Sequence, residues 1–222
     1  MVATSTHFVI DESGSMRDLE DGVYEGVQQM LAELPTESHV AFSRFNEIVT
    51  VGARQGRDGV AEFARGMCSG RTALYDAILA AIAEEEEDPI ANTHIVVITD
   101  GQDNASRGTA ADVSAAVTRV RGERAWTVSF MGCNQDAVLT ARMLLGVEER
   151  HALTYEASAS GMKTAFRALS DNISEFAAGG HVADFTQLQR QTSLPSQFGS
   201  ETAAFLAPPK LCRQKSCMDG VN

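Results

Sequence analysis

The segment THIVVITDG, at positions 93–101, constrains the fold more than any other part of the sequence. Its run of apolar and β-branched residues ends at Asp100-Gly101, a pattern typical of a strand that is buried on both faces. Strands of this kind occur in parallel sheets that are covered by helices. We therefore expect this strand to lie near the centre of such a sheet.

The rest of the chain alternates strand and helix patterns. HFVID, at 7–11, predicts a second buried strand, and the segments around Asn46 and Glu47 predict an antiparallel hairpin. Further strands are predicted at WTVSFMG and ALTYEA, and helices at RDLEDGVYEGVQQMLAEL, GVAEFARGM, a segment starting by Ala73, TAADVSAAVTRVRGE, DAVLTARMLLG and GMKTAFRALSDNISEF. This order predicts an α/β fold, a doubly wound, Rossmann-like three-layer α/β/α sandwich with a mostly parallel central sheet and one antiparallel edge strand.

The composition changes after Gly180. Residues 181–222 are rich in Gln, Ser, Thr and Pro and show little periodicity. We predict one domain over residues 1–180, followed by a polar C-terminal tail that is extended or partly disordered.

Charge and composition limit the partners and the location. The 222 residues carry a formal charge of −12, which disfavours binding to nucleic acid or to an anionic membrane. The N-terminus lacks the pattern of a signal peptide, and no segment has the apolar length of a membrane span, so we expect a cytoplasmic protein without membrane insertion. The cysteines are not spaced as in a zinc finger and fit reduced thiols, with a disulfide or metal at Cys212 and Cys217 as the weaker alternative.

The stretch FVIDESGSM, at 8–16, places one acid and two hydroxyls close together. In an extended strand Asp11 and Ser15 would lie about 13 Å apart, too far to contact one ion. Gly14 permits the chain to curl, and the curl would bring the oxygens of Asp11, Ser13 and Ser15 to one point. The pattern therefore predicts a site for a divalent cation.

A second acid, Asp100, ends the strand THIVVITDG. If the two acid-terminated strands are neighbours, their acids face one crevice at the carboxyl edge of the sheet, where a hydroxyl from the loop SGRTAL could join them. Oxygen ligands without histidine or cysteine favour Mg²⁺, or Mn²⁺ or Ca²⁺, over zinc.

These residues resemble the metal-ion-dependent adhesion site of von Willebrand factor type A domains. The matching positions are Asp11, Ser13 and Ser15 after the first strand, Thr72 in SGRTALYDAI, and Asp100 in VVITDG. The likeness spans about residues 5–178, and the later part looks like stand-alone intracellular members from bacteria and large DNA viruses.

The resemblance implies a non-enzymatic module for adhesion or protein interaction. In such domains the two serines and the threonine contact the ion directly, and the aspartates act directly or through water. The remaining coordination position takes an Asp or Glu of a protein partner. The sequence does not identify that partner or the oligomeric state.

Each residue also has an ordinary explanation, since Asp11, Ser13 or Thr72 could cap a helix and Asp100-Gly101 could be a turn. Asp103 could line the rim of the site, although a surface turn is the simpler interpretation. The acidic run at 84–88 is interpreted as a solvated face, and GMCSG, around Cys68, as a plain loop and not a nucleophile elbow.

Two other functions remain open. A metal-dependent hydrolase or phosphotransferase would suit an acid after a strand, but the sequence has no phosphate-binding loop motif. A structural subunit of a larger viral or cellular assembly would use the tail as its contact arm.

Overall fold

Seven strands form one sheet in the computed structural model, which describes residues 3–60, 67–133, 139–141, 145–179 and 182–193. The strands are β1 (Thr4–Asp11), β2 (His39–Phe45), β3 (Val49–Val51), β4 (Gln55–Gly56), β5 (Asn92–Thr99), β6 (Thr127–Cys133) and β7 (Ala152–Tyr155). Their order is β3-β2-β1-β5-β6-β7, with β4 also paired to β2. The strand predicted to be central, β5, lies between β1 and β6.

The sheet is parallel except at one edge. β1 pairs in parallel with β2 and β5, and β5–β6 and β6–β7 are parallel too. The edge beyond β2 is antiparallel and is shared by two short strands, with Phe45 opposite Val49 and Val40 opposite Gln55. The predicted mostly parallel sheet with an antiparallel edge is confirmed, and the predicted hairpin around Asn46 and Glu47 forms β2 and β3.

Helices cover both faces of the sheet. They are α1 (Glu20–Glu33), α2 (Leu74–Glu87), α3 (Ala110–Arg124), α4 (Ala159–Gly179) and the short α5 (Gln187–Thr192). Phe8 and Ile10 of β1 pack in one apolar cluster with α1 and α4, whereas Val9 packs in a second cluster with α2 and α3. Side chains alternate across a strand, so β1 supplies both clusters and all eight of its residues are buried. The three-layer α/β/α prediction is confirmed.

The acidic run at the end of α2 is not simply a solvated face. Glu85 is fully buried and contacts His7 Nδ1 at 3.0 Å, and it accepts a hydrogen bond from Ser5 Oγ at 3.1 Å. Arg54 adds an ion pair at 3.0 Å. Burial alone would raise the pKa of Glu85, but the hydrogen bonds from His7 and Arg54 outweigh it and hold this pKa below its ordinary value. The solvated interpretation is wrong for Glu85 because three distant residues provide its partners.

Part of the predicted tail packs against the domain. Phe185 and Ser193 are buried, and Thr186 caps the start of α5, where its hydroxyl accepts from the Gln189 backbone amide. The Phe185 amide donates to the Arg150 carbonyl at 2.9 Å. Residues 187–192 of the predicted tail are therefore helical and not extended. The domain boundary at residue 180 and the rest of the tail stay predictions.

Some predictions concern residues outside the described part of the chain. These are most of the helix GVAEFARGM, most of DAVLTARMLLG, and the tail from residue 194 onward, including Cys212 and Cys217. Within the described ranges, no helix is both long enough and apolar enough to cross a bilayer. The cytoplasmic location stays a prediction.

Candidate metal site

The site lies where β1 and β5 end. The two strands are paired from Thr4 opposite Asn92 to Ile10 opposite Ile98, so their carboxyl ends meet at the same edge of the sheet. Asp11 is the last residue of β1, and Asp100 directly follows the last residue of β5. The predicted adjacency of the two acids therefore follows from the strand pairing.

The chain curls immediately after β1. The Ser13 amide donates to Asp11 Oδ1 at 2.8 Å, and a 3-10 helix begins at Gly14. The curl brings the hydroxyl oxygens of Ser13 and Ser15 to 3.2 Å from each other. Two residues that alternate in an extended strand are thereby brought together, as the sequence predicted.

Asp100 extends this row of oxygens across the sheet edge. Ser15 Oγ donates to Asp100 Oδ1 at 2.7 Å, so the oxygens of Ser13, Ser15 and Asp100 form a continuous row from two loops. Ser13 is buried, whereas Ser15 is exposed and Asp100 is half-buried. The row therefore begins inside the protein and reaches solvent at Ser15.

Thr72 enters from the loop that precedes α2. Its side chain is buried, and a Cβ atom built on Gly101 would lie 3.5 Å from Thr72 Oγ1 and 3.9 Å from Ser15 Oγ. The two hydroxyls thus flank the same small space beside Gly101, which a larger residue would fill. The structure brings all five predicted residues to one edge, although Thr72 makes no direct hydrogen bond to the other four.

Asp11 is the most constrained of the five side chains. Its Oδ1 accepts from the Ser13 amide, and its Oδ2 accepts from the Thr99 hydroxyl at 2.6 Å. Burial raises the pKa of Asp11, the hydrogen bonds from Thr99 and Ser13 oppose this rise, and the nearby charge of Asp100 adds to it. Two carboxylates in this setting favour a cation between or beside them.

Main-chain hydrogen bonds hold the three loops together. The Gly14 amide donates to the Gly70 carbonyl at 3.1 Å, and the Ser69 amide donates to the Glu12 carbonyl at 2.9 Å. Gly70 has a positive φ of 75°, and a Cβ there would lie 1.7 Å from Glu47 Oε2. Glycine suits this position because it adopts the positive φ without strain, and a side chain here would have to displace the Glu47 carboxylate.

Asn104 is a supporting residue that the sequence analysis missed. Asn104 Oδ1 accepts a hydrogen bond from the Thr72 backbone amide at 2.9 Å, and the Asn104 backbone amide donates one to the Thr72 carbonyl at 2.9 Å. The contact joins the loop after β5 to the loop before α2. No local pattern reveals it, because the two residues are 32 positions apart.

Asp103 serves the start of α2. Its Oδ1 accepts from the Tyr75 amide at 3.2 Å and from the Ser106 hydroxyl, so the carboxylate is bound within the protein. The carboxylate therefore binds the start of α2, a role that neither of the two sequence interpretations included.

Three candidate nucleophiles among the described residues, Cys68, Cys133 and Ser43, are buried. Burial raises the pKa of Cys68 to about 12 and that of Cys133 to about 12, so both thiols are protonated at neutral pH. Ser43 Oγ lies 2.8 Å from His7 Nε2, and Glu85 contacts the other ring nitrogen, which resembles a serine, histidine and acid triad. All three side chains are fully buried, so a substrate cannot reach the serine.

Comparison with known proteins supports the fold. The chain matches a von Willebrand factor type A protein from Catenulispora acidiphila with a TM-score of 0.60 and 19% identity, over 77% of this chain and 42% of that one. Proximal thread matrix protein 1 from the mussel byssus, in a structure with a zinc-occupied MIDAS motif, matches with a TM-score of 0.62 and 14% identity, over 78% and 46% of the two chains.

A third match covers nearly the whole of a smaller structure. It is the vWF domain of the type V pili tip protein Mfa5 from Porphyromonas gingivalis, with a TM-score of 0.60 and 11% identity, over 83% of this chain and 99% of that one. No family model and no curated protein matches the sequence. The chain spans less than half the length of the first two structures.

Proposed function

Because the chain has the von Willebrand factor type A fold, we propose that it is a non-enzymatic protein-binding module that engages its partner through a divalent cation. The ion would be held by Asp11, Ser13, Ser15, Thr72 and Asp100, and it would take a carboxylate of the partner as a further ligand. The observation that carries this proposal is the row of oxygens from Ser13 through Ser15 to Asp100, which is open to solvent at Ser15.

The chemistry of the ligands favours a hard divalent ion. Hydroxyl and carboxylate oxygens suit Mg²⁺, Mn²⁺ and Ca²⁺, whereas zinc prefers nitrogen and sulfur ligands. The oxygens of Ser13, Ser15 and Asp100 are hydrogen-bonded neighbours at 3.2 Å and 2.7 Å, close enough to share one ion. Mg²⁺ is our first choice, with Mn²⁺ and Ca²⁺ as the alternatives.

The charge of the site favours an external carboxylate. Three of the five proposed ligands are neutral hydroxyls, and both oxygens of Asp11 already accept hydrogen bonds from Ser13 and Thr99. Asp11 then supports the site by holding the turn, or reaches the ion through water. An ion with few anionic ligands keeps much of its charge, so a partner's Asp or Glu is a strong additional ligand.

Calorimetric titration with Mg²⁺, Mn²⁺, Ca²⁺ and Zn²⁺ tests the metal site. We expect saturable binding of Mg²⁺ or Mn²⁺ to the full chain and a loss of at least tenfold in affinity for Ser13→Ala and Thr72→Ala. Thr118→Ala is the matched control, since Thr118 is an exposed threonine of α3. Equal binding by all variants, or none by the native chain, would reject the proposed site.

Partner binding needs a second measurement. Proteins retained on the immobilised chain should be compared in Mg²⁺, in EDTA, and with Asp11→Asn in Mg²⁺. The proposal predicts partners that are retained only by the native chain with Mg²⁺. Retention of the same partners under all three conditions would show that the ion plays no part in recognition.

A further inference from the structure

Most arginines of the described residues form ion pairs with carboxylates within 4 Å. At the candidate metal site, Arg44 pairs with Glu12 at 2.9 Å. The pairs elsewhere involve Arg54, Arg57, Arg119, Arg121, Arg124, Arg150 and Arg190. Within the described ranges, Arg17, Arg71, Arg107 and Arg167 have no such partner, and all four are exposed.

Three of these four arginines belong to the loops of the candidate site. Arg17 follows Ser15 by two positions, Arg71 directly precedes Thr72, and Arg107 lies in the loop between β5 and α3. The fourth, Arg167, lies on α4 and acts electrostatically on Glu33, at the far end of α1. The unpaired cations are therefore concentrated at the edge where the proposed ion would meet a partner.

Two acids near these arginines are bound to main-chain amides. Glu47 Oε2 accepts from the backbone amide of Arg71 at 2.7 Å, not from its guanidinium group. Asp76 accepts from the backbone amides of Arg107 at 2.9 Å and Gly108 at 2.9 Å. These two carboxylates therefore hold the backbone beside Arg71 and Arg107 and do not pair with their guanidinium groups.

Among the described residues, two of the guanidinium groups form a single hydrogen bond each. Arg17 Nη2 donates to the Cys68 carbonyl at 3.3 Å, and Arg71 Nη1 donates to the Asn104 carbonyl at 3.5 Å. A guanidinium group has five N–H donors, so each keeps most of its hydrogen-bonding capacity. The single contacts hold the side chains near the site while leaving donors for a ligand.

We propose that the partner presents an acidic peptide segment with several carboxylates, one for the bound ion and others for Arg17, Arg71 and Arg107. This inference rests on the proposed function and specifies the class of partner. Arginine pairs with carboxylates in a planar, two-point geometry and keeps its charge at any physiological pH. A segment with one acid would use the ion alone, whereas a segment with two or three acids would also use the arginines.

Fluorescence anisotropy with two labelled peptides tests this inference. The single-acid probe is Gly-Ser-Glu-Ser-Gly, and the multiple-acid probe is Glu-Ser-Glu-Ser-Glu, both titrated with the full chain in saturating Mg²⁺. We expect the second peptide to bind at least tenfold more tightly at low salt, and its advantage to shrink as ionic strength rises.

Variants identify the arginines as the cause. We expect Arg17→Gln, Arg71→Gln and Arg107→Gln each to weaken the multiple-acid peptide about two- to fivefold, and the triple variant about tenfold or more. The single-acid peptide and the affinity for Mg²⁺ should change less than twofold. Arg167→Gln is the matched control, because it removes the same charge from an exposed, unpaired arginine on α4.

The outcomes separate this inference from the proposed function. If Mg²⁺ does not bind the native chain, the proposed function fails, and the inference fails with it. If Mg²⁺ and the single-acid peptide bind, but the arginine variants match Arg167→Gln, only the inference is overturned. It is also overturned if a phosphoserine peptide of equal length binds more tightly than the multiple-acid peptide, since the arginines would then serve a phosphorylated ligand.

Discussion

Replacing Gly26 by alanine should destabilise the protein, even though alanine is the better helix former. Gly26 lies in the middle of α1, and a Cβ built there would be 2.4 Å from Phe166 Cδ1 and 2.4 Å from Phe166 Cγ. Carbon atoms cannot approach so closely, and Phe166 is itself buried in α4, so the helix or the ring must move. The ring of Phe166 in α4 packs directly against α1 because Gly26 has no side chain.

The expected loss follows from two opposing effects. Overpacking a core typically costs about 1–3 kcal/mol, and the short contact with a buried ring places this case in the upper part of that range. Removing glycine from a helix returns about 1 kcal/mol. We therefore expect Gly26→Ala to lower the free energy of unfolding by about 1–2 kcal/mol.

Gly122→Ala is the matched control. Gly122 lies in α3, and a Cβ there would have no neighbouring atom within 4 Å. Only the helix preference remains, so this variant should be more stable than the native chain by about 0.5–1 kcal/mol. The two substitutions are chemically identical and should have opposite signs.

Urea unfolding followed by tryptophan fluorescence measures both variants. The chain has a single tryptophan, Trp126, which is 1% exposed and reports on unfolding of the core. The dependence on urea concentration should be unchanged, so that the midpoint shift gives the stability difference. A stabilisation by Gly26→Ala equal to that of Gly122→Ala would refute the packing argument.

Three further predictions concern buried charge and the site. Desolvation lowers the pKa of His94 to about 3, from an ordinary value of 6.5. The stability that depends on a neutral His94 ring is therefore complete above pH 6.5 and is lost as the pH falls towards 3. The free energy of unfolding should therefore fall by up to about 1.4 kcal/mol per pH unit below pH 6.5. His94→Gln should flatten this slope in urea titrations at about pH 7, 6 and 5. An unchanged slope would contradict the lowered pKa of His94. Glu85→Ala should lower the free energy of unfolding by about 3–5 kcal/mol in urea, because it leaves buried donors and an arginine without their acceptor. The control Glu87→Ala, at an exposed position, should change stability by less than about 0.5 kcal/mol, as is usual for surface substitutions. Similar losses in the two variants would argue against the buried network. Asn104→Ala should weaken Mg²⁺ binding about tenfold or more in calorimetry, since Asn104 holds the Thr72 loop in place. Native affinity in this variant would show that the loop keeps its position without the Asn104 side chain.

The sequence predicts the sheet well because its strands are locally encoded. THIVVITDG and HFVID are continuous apolar runs, and the structure makes them the paired strands β5 and β1. The acids that end them are at one edge for the same reason. Strand identity and edge position follow from patterns within a few residues, which a sequence displays directly.

Contacts between distant segments are not encoded in this way. Glu85 looks like one acid in an exposed run, and only the fold brings Ser5, His7 and Arg54 to it. The support of Thr72 by Asn104 likewise depends on two loops from different strands. Such partners become visible only when the chain is folded, because no spacing in the sequence specifies them.

The site loops are joined largely by amides and carbonyls, the groups that every residue type except proline carries in full. Amide-to-carbonyl contacts such as Gly14 to Gly70 and Ser69 to Glu12 do not depend on which side chains those loops display outward. Residues on the outer surface of the loops can therefore vary while the frame beneath them keeps its shape. A protein built in this way can acquire a new binding specificity by surface substitution without rebuilding the centre that it relies on.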